Sequence, residues 1–376
     1  MRRARYLAPW HRDAVDFQDL GDLREDPEVV AETLEALRGK PAIYHVVSRV
    51  VNRDRVFGRA EKEHFVKLMR TYEKFCQVRI LTHCVMSNHF HLLLEVPAPP
   101  PDRGASWSDD DLLTHLACLY SKKQLGEIRW ELEHHRSQKN NAAAEALRAK
   151  FFARMWDLSA FMKVLKQRFS QWFNRVHARR GTLWEDRFKS VLVESGHAAR
   201  VTAAYIDLNP VRAGIVTDPK DYRWCGYAEA VAGRERAREG LRLVLFEQFA
   251  TVTSEKRAAK QVASWREVVR RYRTVLFEDG EEHQRDARKK RAGIAPETVA
   301  AVLASGGRLS ETQMLSCRVR YLVDGLVLGS ERFVNGMHAV TRDYFGPRRR
   351  SGARRMRHVQ SPLRTMRDLQ VDPISA

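Results

Sequence analysis

The sequence predicts an α+β fold: a mainly antiparallel sheet with helices packed on it, followed by a helical C-terminal extension. Two observations carry this reading. Between Ala42 and about Tyr227, segments rich in β-branched and aromatic residues alternate with amphipathic ones in the order strand, helix, strand, strand, helix, strand, helix. Beyond Tyr227 the pattern is predominantly helical. The chain has 376 residues, 44% hydrophobic and 30% charged, enough to bury a sizeable core. No apolar run approaches the roughly 18 residues of a membrane span, and the opening MRRARYLAPW lacks the apolar centre of a secretory signal, so a membrane partner is excluded and a cytoplasmic location is expected.

The elements follow in order. Residues 1–40 form a charged leader ending in a helix through Val29 to Leu37, closed by Gly39-Lys40-Pro41. The segment Ile43 to Ser48 has strand composition, with its turn at Asn52 to Arg55. From Glu61 to Phe75, Phe65, Leu68, Met69, Tyr72 and Phe75 fall at helical spacing. Two strands come next, Val78 to Met86 and His89 to Val96, joined at Ser87-Asn88. Four prolines between Pro97 and Gly104 require a loop. Ser108 with Asp109 to Asp111 caps a helix running to about Tyr120. Residues 121–157 read as an inserted helical excursion. Ser159 caps a helix with Met162, Leu165, Phe169, Trp172, Phe173 and Val176 on one face, the aromatic members being core. Arg187 to Glu194 is a strand, and a helix from about His197 to Asn209 is stopped by Pro210.

This gives a central domain over 41–230 with 121–157 inserted, a helical linker region over 231–293, and a helical, basic module over 294–376. Arg285 to Arg291 is a basic linker. Helices over Ser310 to Gly325 and Ser330 to Phe345, joined by a short turn, have the outline of a helix-turn-helix pair. Seven arginines between Arg342 and Arg357, including Arg348, Arg349, Arg350, Arg354 and Arg355, are read as phosphate contacts. The whole chain is basic, with 66 Lys and Arg against 47 Asp and Glu and a net charge of +19, the footprint of a polyanion binder. Five scattered cysteines contain no CxxC pair, which excludes a zinc ribbon and a disulfide scaffold.

The chemistry-bearing segment is His89-Phe90-His91. Alternate residues of a strand share a face, so both imidazoles project together and can clamp one divalent ion, while Phe90, Leu92 and Leu94 enter the core. Tyr205 and Asn209, spaced i,i+4 on a later helix, lie on one face and can reach a common site. There the phenol would serve as nucleophile and the amide as a third ligand. A phenol ionises only near pH ~10 and attacks poorly at neutral pH. A divalent ion would assist it by polarising the phosphate under attack.

These residues resemble the single-tyrosine HUH transposases, and within them the REP-associated tyrosine transposases. The likeness runs through Tyr44 to Arg49, Met86 to His91, Gly181 to Ser190 and Tyr205 to Gly214. It implies a ferredoxin-like core, His89 and His91 as metal ligands for magnesium or manganese, and Tyr205 as the nucleophile. Asn209 takes the position of a helix-borne third ligand, where relatives commonly carry glutamine. The activity implied is metal-dependent cleavage of single-stranded DNA at a hairpin or palindromic repeat, leaving a 5′-phosphotyrosine and a 3′-hydroxyl that can rejoin another strand without ATP. Arg49, Arg187 and Lys189 are expected on the DNA-binding rim. Relatives work as dimers or monomers. His45 and His83 are expected at sheet positions without metal. Tyr120 and Gln124 repeat the Tyr-x-x-x-Gln spacing as an internal rival. The alternative function is a non-catalytic DNA- or RNA-binding regulator that keeps the fold.

Overall fold

The computed structural model describes residues 6–11, 32–33, 35–246, 264–277, 308–315, 317 and 319–367. The described residues form two compact units, one drawn from Met1–Arg55, Ile80–Glu95 and Trp184–Ala376, the other from Val56–Arg79 and Val96–Leu183. In the first unit lies a seven-stranded sheet. Its strands are β1 (Ala42–Arg49), β2 (Arg79–Val85), β3 (His89–Val96), β4 (Lys189–Val193), β5 (Val327–Gly329), β6 (Arg354–Arg355) and β7 (Arg364–Met366). The spatial order is β2-β3-β1-β4-β5-β7-β6. β1 and β4 pair antiparallel, with His45 opposite Val191. β4 and β5 pair parallel, and β7 pairs antiparallel with both β5 and β6.

The second unit is helical: α1 (Arg59–Phe75), α2 (Asp109–Leu116), α3 (Lys122–Ser137), α4 (Asn141–Phe152) and α5 (Leu158–Val176). Phe65, Met69, Phe161, Met162, Leu165 and Phe169 are fully buried, as the apolar spacing of α1 and α5 predicts. Ser108 caps α2 reciprocally with Asp111. The cap of α5 differs from expectation: Asp157, not Ser159, accepts the Ala160 amide at 2.5 Å. A carboxylate is the stronger acceptor at a helix N-terminus, and it starts the helix two residues earlier. The inserted excursion consists of α3 and α4, both with side-chain N-caps.

The remaining helices belong to the sheet unit: α6 (His197–Asp207), α7 (Asn209–Arg212), α8 (Gly226–Val231), α9 (Glu235–Leu245), α10 (Trp265–Leu276), α11 (Glu311–Leu315) and α12 (Glu331–Val340). Their shared core joins Leu81, Leu93, Val191 and Val193 of the strands to Ala203, Ile206, Tyr227, Leu241 and Tyr272. Gly240 of α9 lies so close to edge strand β2 that a Cβ there would stand 2.4 Å from the Leu81 carbonyl oxygen. With the isolated antiparallel backbone pairing of Cys84 and Cys225, both free thiols, this contact covers the edge.

Two expectations are corrected. Pro210 does not end the helical path; it occupies the first turn of α7, where its missing N–H is harmless. The C-terminal residues, expected as helix and basic tail, also lengthen the sheet. The described residues of 310–325 contain α11 and a 3₁₀ turn at Arg320–Leu322, and strand β5 replaces the short turn expected before α12. Three-residue strands are too short to show a period of two. The helix through Val29 to Leu37 lies partly, and the basic linker Arg285 to Arg291 wholly, outside the described residues. No described helix is long and apolar enough to cross a membrane.

Candidate active site

β3 carries His89 and His91 on the sheet face that α6 covers, with ring centroids 5.1 Å apart. Phe90, Leu92 and Leu94 alternate onto the other face and are fully buried. The neighbouring strand β1 brings His45 alongside, its Nε2 lying 3.0 Å from His91 Nδ1. α6 brings Tyr205 above them, its ring centroid 6.1 Å from that of His45 and 6.1 Å from that of His91. Three imidazoles and one phenol thus meet at one point on the sheet.

The hydrogen bonds fix which nitrogens carry protons. His45 Nδ1 sits 2.6 Å from the Leu322 carbonyl oxygen, which can only accept, so Nδ1 bears the hydrogen. Burial draws the His45 pKa down to about 4 against the opposing effect of the Leu322 bond, with Arg212 lowering it further; the ring is therefore neutral at pH 7. Its Nε2 then accepts, and His91 Nδ1 must donate. The lone pair of His91 falls on Nε2. His89 Nδ1 faces the Asn88 Oδ1 acceptor at 2.7 Å, which puts its lone pair on Nε2 as well. Burial first, with the nearby Arg212 and Arg49 cations adding and any proton gained by His89 or His45 acting in the same direction, holds His91 well below the ordinary imidazole value. Two rings of matched tautomer on adjacent same-face positions have the form that binds a cation, and the Leu322–His45–His91 chain is the arrangement that orients a ligating imidazole. The His89 and His91 pair fits a divalent ion. Among the described residues no group of three or more His, Cys, Asp or Glu side chains is arranged to hold one.

Asn209 turns its amide nitrogen onto the carbonyls of Tyr205, at 3.3 Å, and Ile206, at 3.0 Å, leaving Oδ1 as the ligand-type atom. The ring contacts of His91 are made by His45, His89 and Tyr205. Arg212, seven residues after Tyr205, lies 4.1 Å from the centre of the phenol ring. It is held by donation to the Tyr205 carbonyl at 2.6 Å and to the Leu315 carbonyl at 2.8 Å. His45 and Arg212 are the residues that sequence reasoning missed. The i,i+7 spacing of Tyr205 and Arg212 was the available signal for one; no local signal reveals that β1 lies beside β3.

The expected rim divides. Arg49 is exposed at the end of β1, and its charge is felt at His91. Arg187 is exposed. Lys189 is exposed but paired with Asp324 at 2.8 Å. Arg348, Arg350, Arg354 and Arg355 are exposed, the last two on edge strand β6. Arg349 is turned inward: its guanidinium lies over Phe345 and donates to the carbonyls of Ser351, Gly352 and Arg367. It shapes the segment from which its neighbours project.

Residues 40–100, which contain β1 through β3 and both histidines of the pair, match the family described as "Transposase IS200 like". The chain resembles the IS200-like transposases. A solved structure entitled "Structure of the REP associates tyrosine transposase bound to a REP hairpin" is matched at 13% identity and a TM-score of 0.33, over 60% of this chain and 94% of that one. No curated protein matches. In the IS200-like reading the matched segment supplies the histidine strand, while Tyr205 and Arg212 lie outside it.

Proposed function

We propose that this chain is a transposase-like enzyme that nicks and rejoins single-stranded DNA at hairpin or palindromic repeats, with Tyr205 as nucleophile. The observation that carries the reading is the approach of the Tyr205 ring to within 6.1 Å of both the His91 and His45 rings, beneath the cation of Arg212. The IS200-like match over 40–100 and the net charge of +19 support it.

In this mechanism the phenol oxygen of Tyr205 attacks a backbone phosphorus, the P–O bond to the 3′ oxygen breaks, and the departing strand takes up a proton to end as a 3′-hydroxyl. Attack by that hydroxyl on the phosphotyrosine reverses the step on the same or another strand, so no ATP is consumed. His89 and His91, through Nε2, with Asn209 Oδ1 as third ligand, would hold a magnesium or manganese ion, which supplies polarisation of the phosphate when bound. Two nitrogen donors favour manganese over the more strictly oxygen-seeking magnesium. Arg212 is placed to offset the charge that develops on the phosphate oxygens. Arg49, Arg187, Lys189, Arg348, Arg350, Arg354 and Arg355 would line the path of the strand, and Arg349 would brace it.

The test is incubation of the protein with labelled single-stranded hairpin oligonucleotides and manganese, followed by a denaturing gel. A labelled adduct the size of the protein, absent when EDTA is present, is the expected result. Absence of any adduct across a broad oligonucleotide pool, with binding retained, would assign the chain to the DNA- or RNA-binding regulators instead. A second prediction concerns His45. His45→Phe removes the acceptor of the His91 Nδ1 proton and frees the tautomer, so manganese affinity should fall by about 10–100-fold while hairpin binding without metal stays unchanged. Metal titration by calorimetry reads this directly, and equal affinity in the variant would remove His45 from the site.

A further inference from the structure

The helical unit contains a cavity of about 330 Å³ that the proposed nicking site does not use. It opens between α1, α5 and the start of α3. Three arginines, Arg154, Arg168 and Arg175, contribute to its wall, and none of its lining residues is acidic. One wall is flat: His64 and Trp172 stack with ring centroids 3.8 Å apart and 14° between planes. Burial, with Lys67 adding, lowers the His64 pKa, so this wall is a neutral aromatic surface at pH 7. Two tyrosine hydroxyls, two glutamine amides and the leucines Leu68 and Leu119 complete the lining. Tyr120 accepts from Arg154 at 3.0 Å, Arg168 interacts with the Tyr72 hydroxyl, and Gln124 uses Oε1 to cap α3, which leaves its amide N–H groups on the donor side.

Guanidinium groups without a carboxylate select an anion, and planar guanidinium forks match phosphate oxygens in pairs. A flat aromatic wall beside them selects a π-system. The volume lies at the lower end of the roughly 300–1,000 Å³ typical of ligand pockets, too small for a duplex segment but sufficient for one nucleotide. We infer that this cavity binds a single unpaired nucleotide, its base against the His64–Trp172 wall and its phosphate on Arg168 and Arg154. The Tyr120 and Gln124 pair, which imitates the spacing of Tyr205 and Asn209, thereby acquires a role: both line a nucleotide pocket rather than a nicking site. The inference stands on this unit alone and does not depend on the proposed chemistry at Tyr205.

The four deoxynucleoside 5′-monophosphates and inorganic phosphate, titrated into the full-length protein by calorimetry, test it. At least one nucleotide should bind about tenfold or more tightly than phosphate, the margin of one base stack. Arg168→Glu, at an exposed position, should abolish measurable binding, and Trp172→Leu should weaken it about tenfold. His91→Ala should leave nucleotide binding unchanged, which separates this pocket from the proposed nicking site. Circular dichroism melting confirms that each variant is folded. Phosphate binding as tightly as every nucleotide would reduce the pocket to an anion site and overturn the inference, as would unchanged affinity in Arg168→Glu or loss of binding in His91→Ala.

Discussion

A Tyr205→Phe protein should bind hairpin DNA with unaltered affinity and form no covalent adduct, its nicking rate falling by a factor on the order of 10⁴ or more, as when a covalent nucleophile is deleted. The substitution removes one oxygen from a buried ring whose packing is otherwise kept: the edge-on contacts with His45 and His91 and the Arg212 guanidinium over the ring face do not require the hydroxyl. The backbone carbonyl to which Arg212 donates is untouched. Stability should therefore change by less than ~1 kcal/mol, so lost activity cannot be assigned to unfolding. Metal affinity should also hold, because the imidazole lone pairs are fixed by Leu322, His45 and Asn88 and not by the phenol. Denaturing gels, gel shifts and calorimetry on one preparation give all three readings. An adduct that persists in Tyr205→Phe would remove this residue as the nucleophile and transfer the role to another tyrosine, with Tyr120 the first to examine.

Much of this site was legible because its parts are local. A His-x-His on a strand must point both rings one way, and an i,i+4 pair on a helix must share a face. Neither rule says which strands become neighbours, and that is why the sequence alone makes His45 an ordinary sheet residue. Its partnership with His91 exists only because β1 lies between β3 and β4. The strands at 327–329, 354–355 and 364–366 were hidden for the same reason: each is defined by its partner across the sheet, and two or three residues carry no periodicity of their own. The arginine run shows the limit of reading charge alone. Arg349 and Arg350 are adjacent in the sequence, yet one is spent on Phe345 and three backbone carbonyls while the other faces solvent.

The residue that holds Tyr205 in place is Asp207, and its loss should be the most damaging structural change in the sheet unit. It ends α6 fully buried, with its carboxylate accepting from Thr82 Oγ1 of β2 at 2.9 and 3.0 Å, from the Tyr272 hydroxyl of α10 at 2.5 Å and from the Tyr227 amide of α8 at 3.2 Å. One side chain thus pins the helix that carries Tyr205 to an edge strand and two other helices. Asp207→Ala leaves two hydroxyls and one N–H buried without this acceptor, each worth roughly 1–3 kcal/mol, so a destabilisation of about 3–5 kcal/mol is expected. Urea denaturation at pH 7 measures it, and a change below ~1 kcal/mol would refute the role. Burial, only partly opposed by the Tyr272, Tyr227 and Thr82 bonds, pushes the Asp207 pKa from 3.8 up to about 6. The folded protein therefore keeps a proton that the unfolded chain releases. This group's contribution is most favourable below pH 3.8, declines as pH rises through the window from 3.8 to about 6, and is fully lost above it. Asp207→Asn carries no charge to desolvate and lacks that decline. Measured against wild type, it should look least favourable near pH 4 and gain on the order of 3 kcal/mol by pH 7. A difference between the two proteins that stays flat over that range would show that the carboxylate is fully ionised throughout, held by its three donors more strongly than burial opposes them.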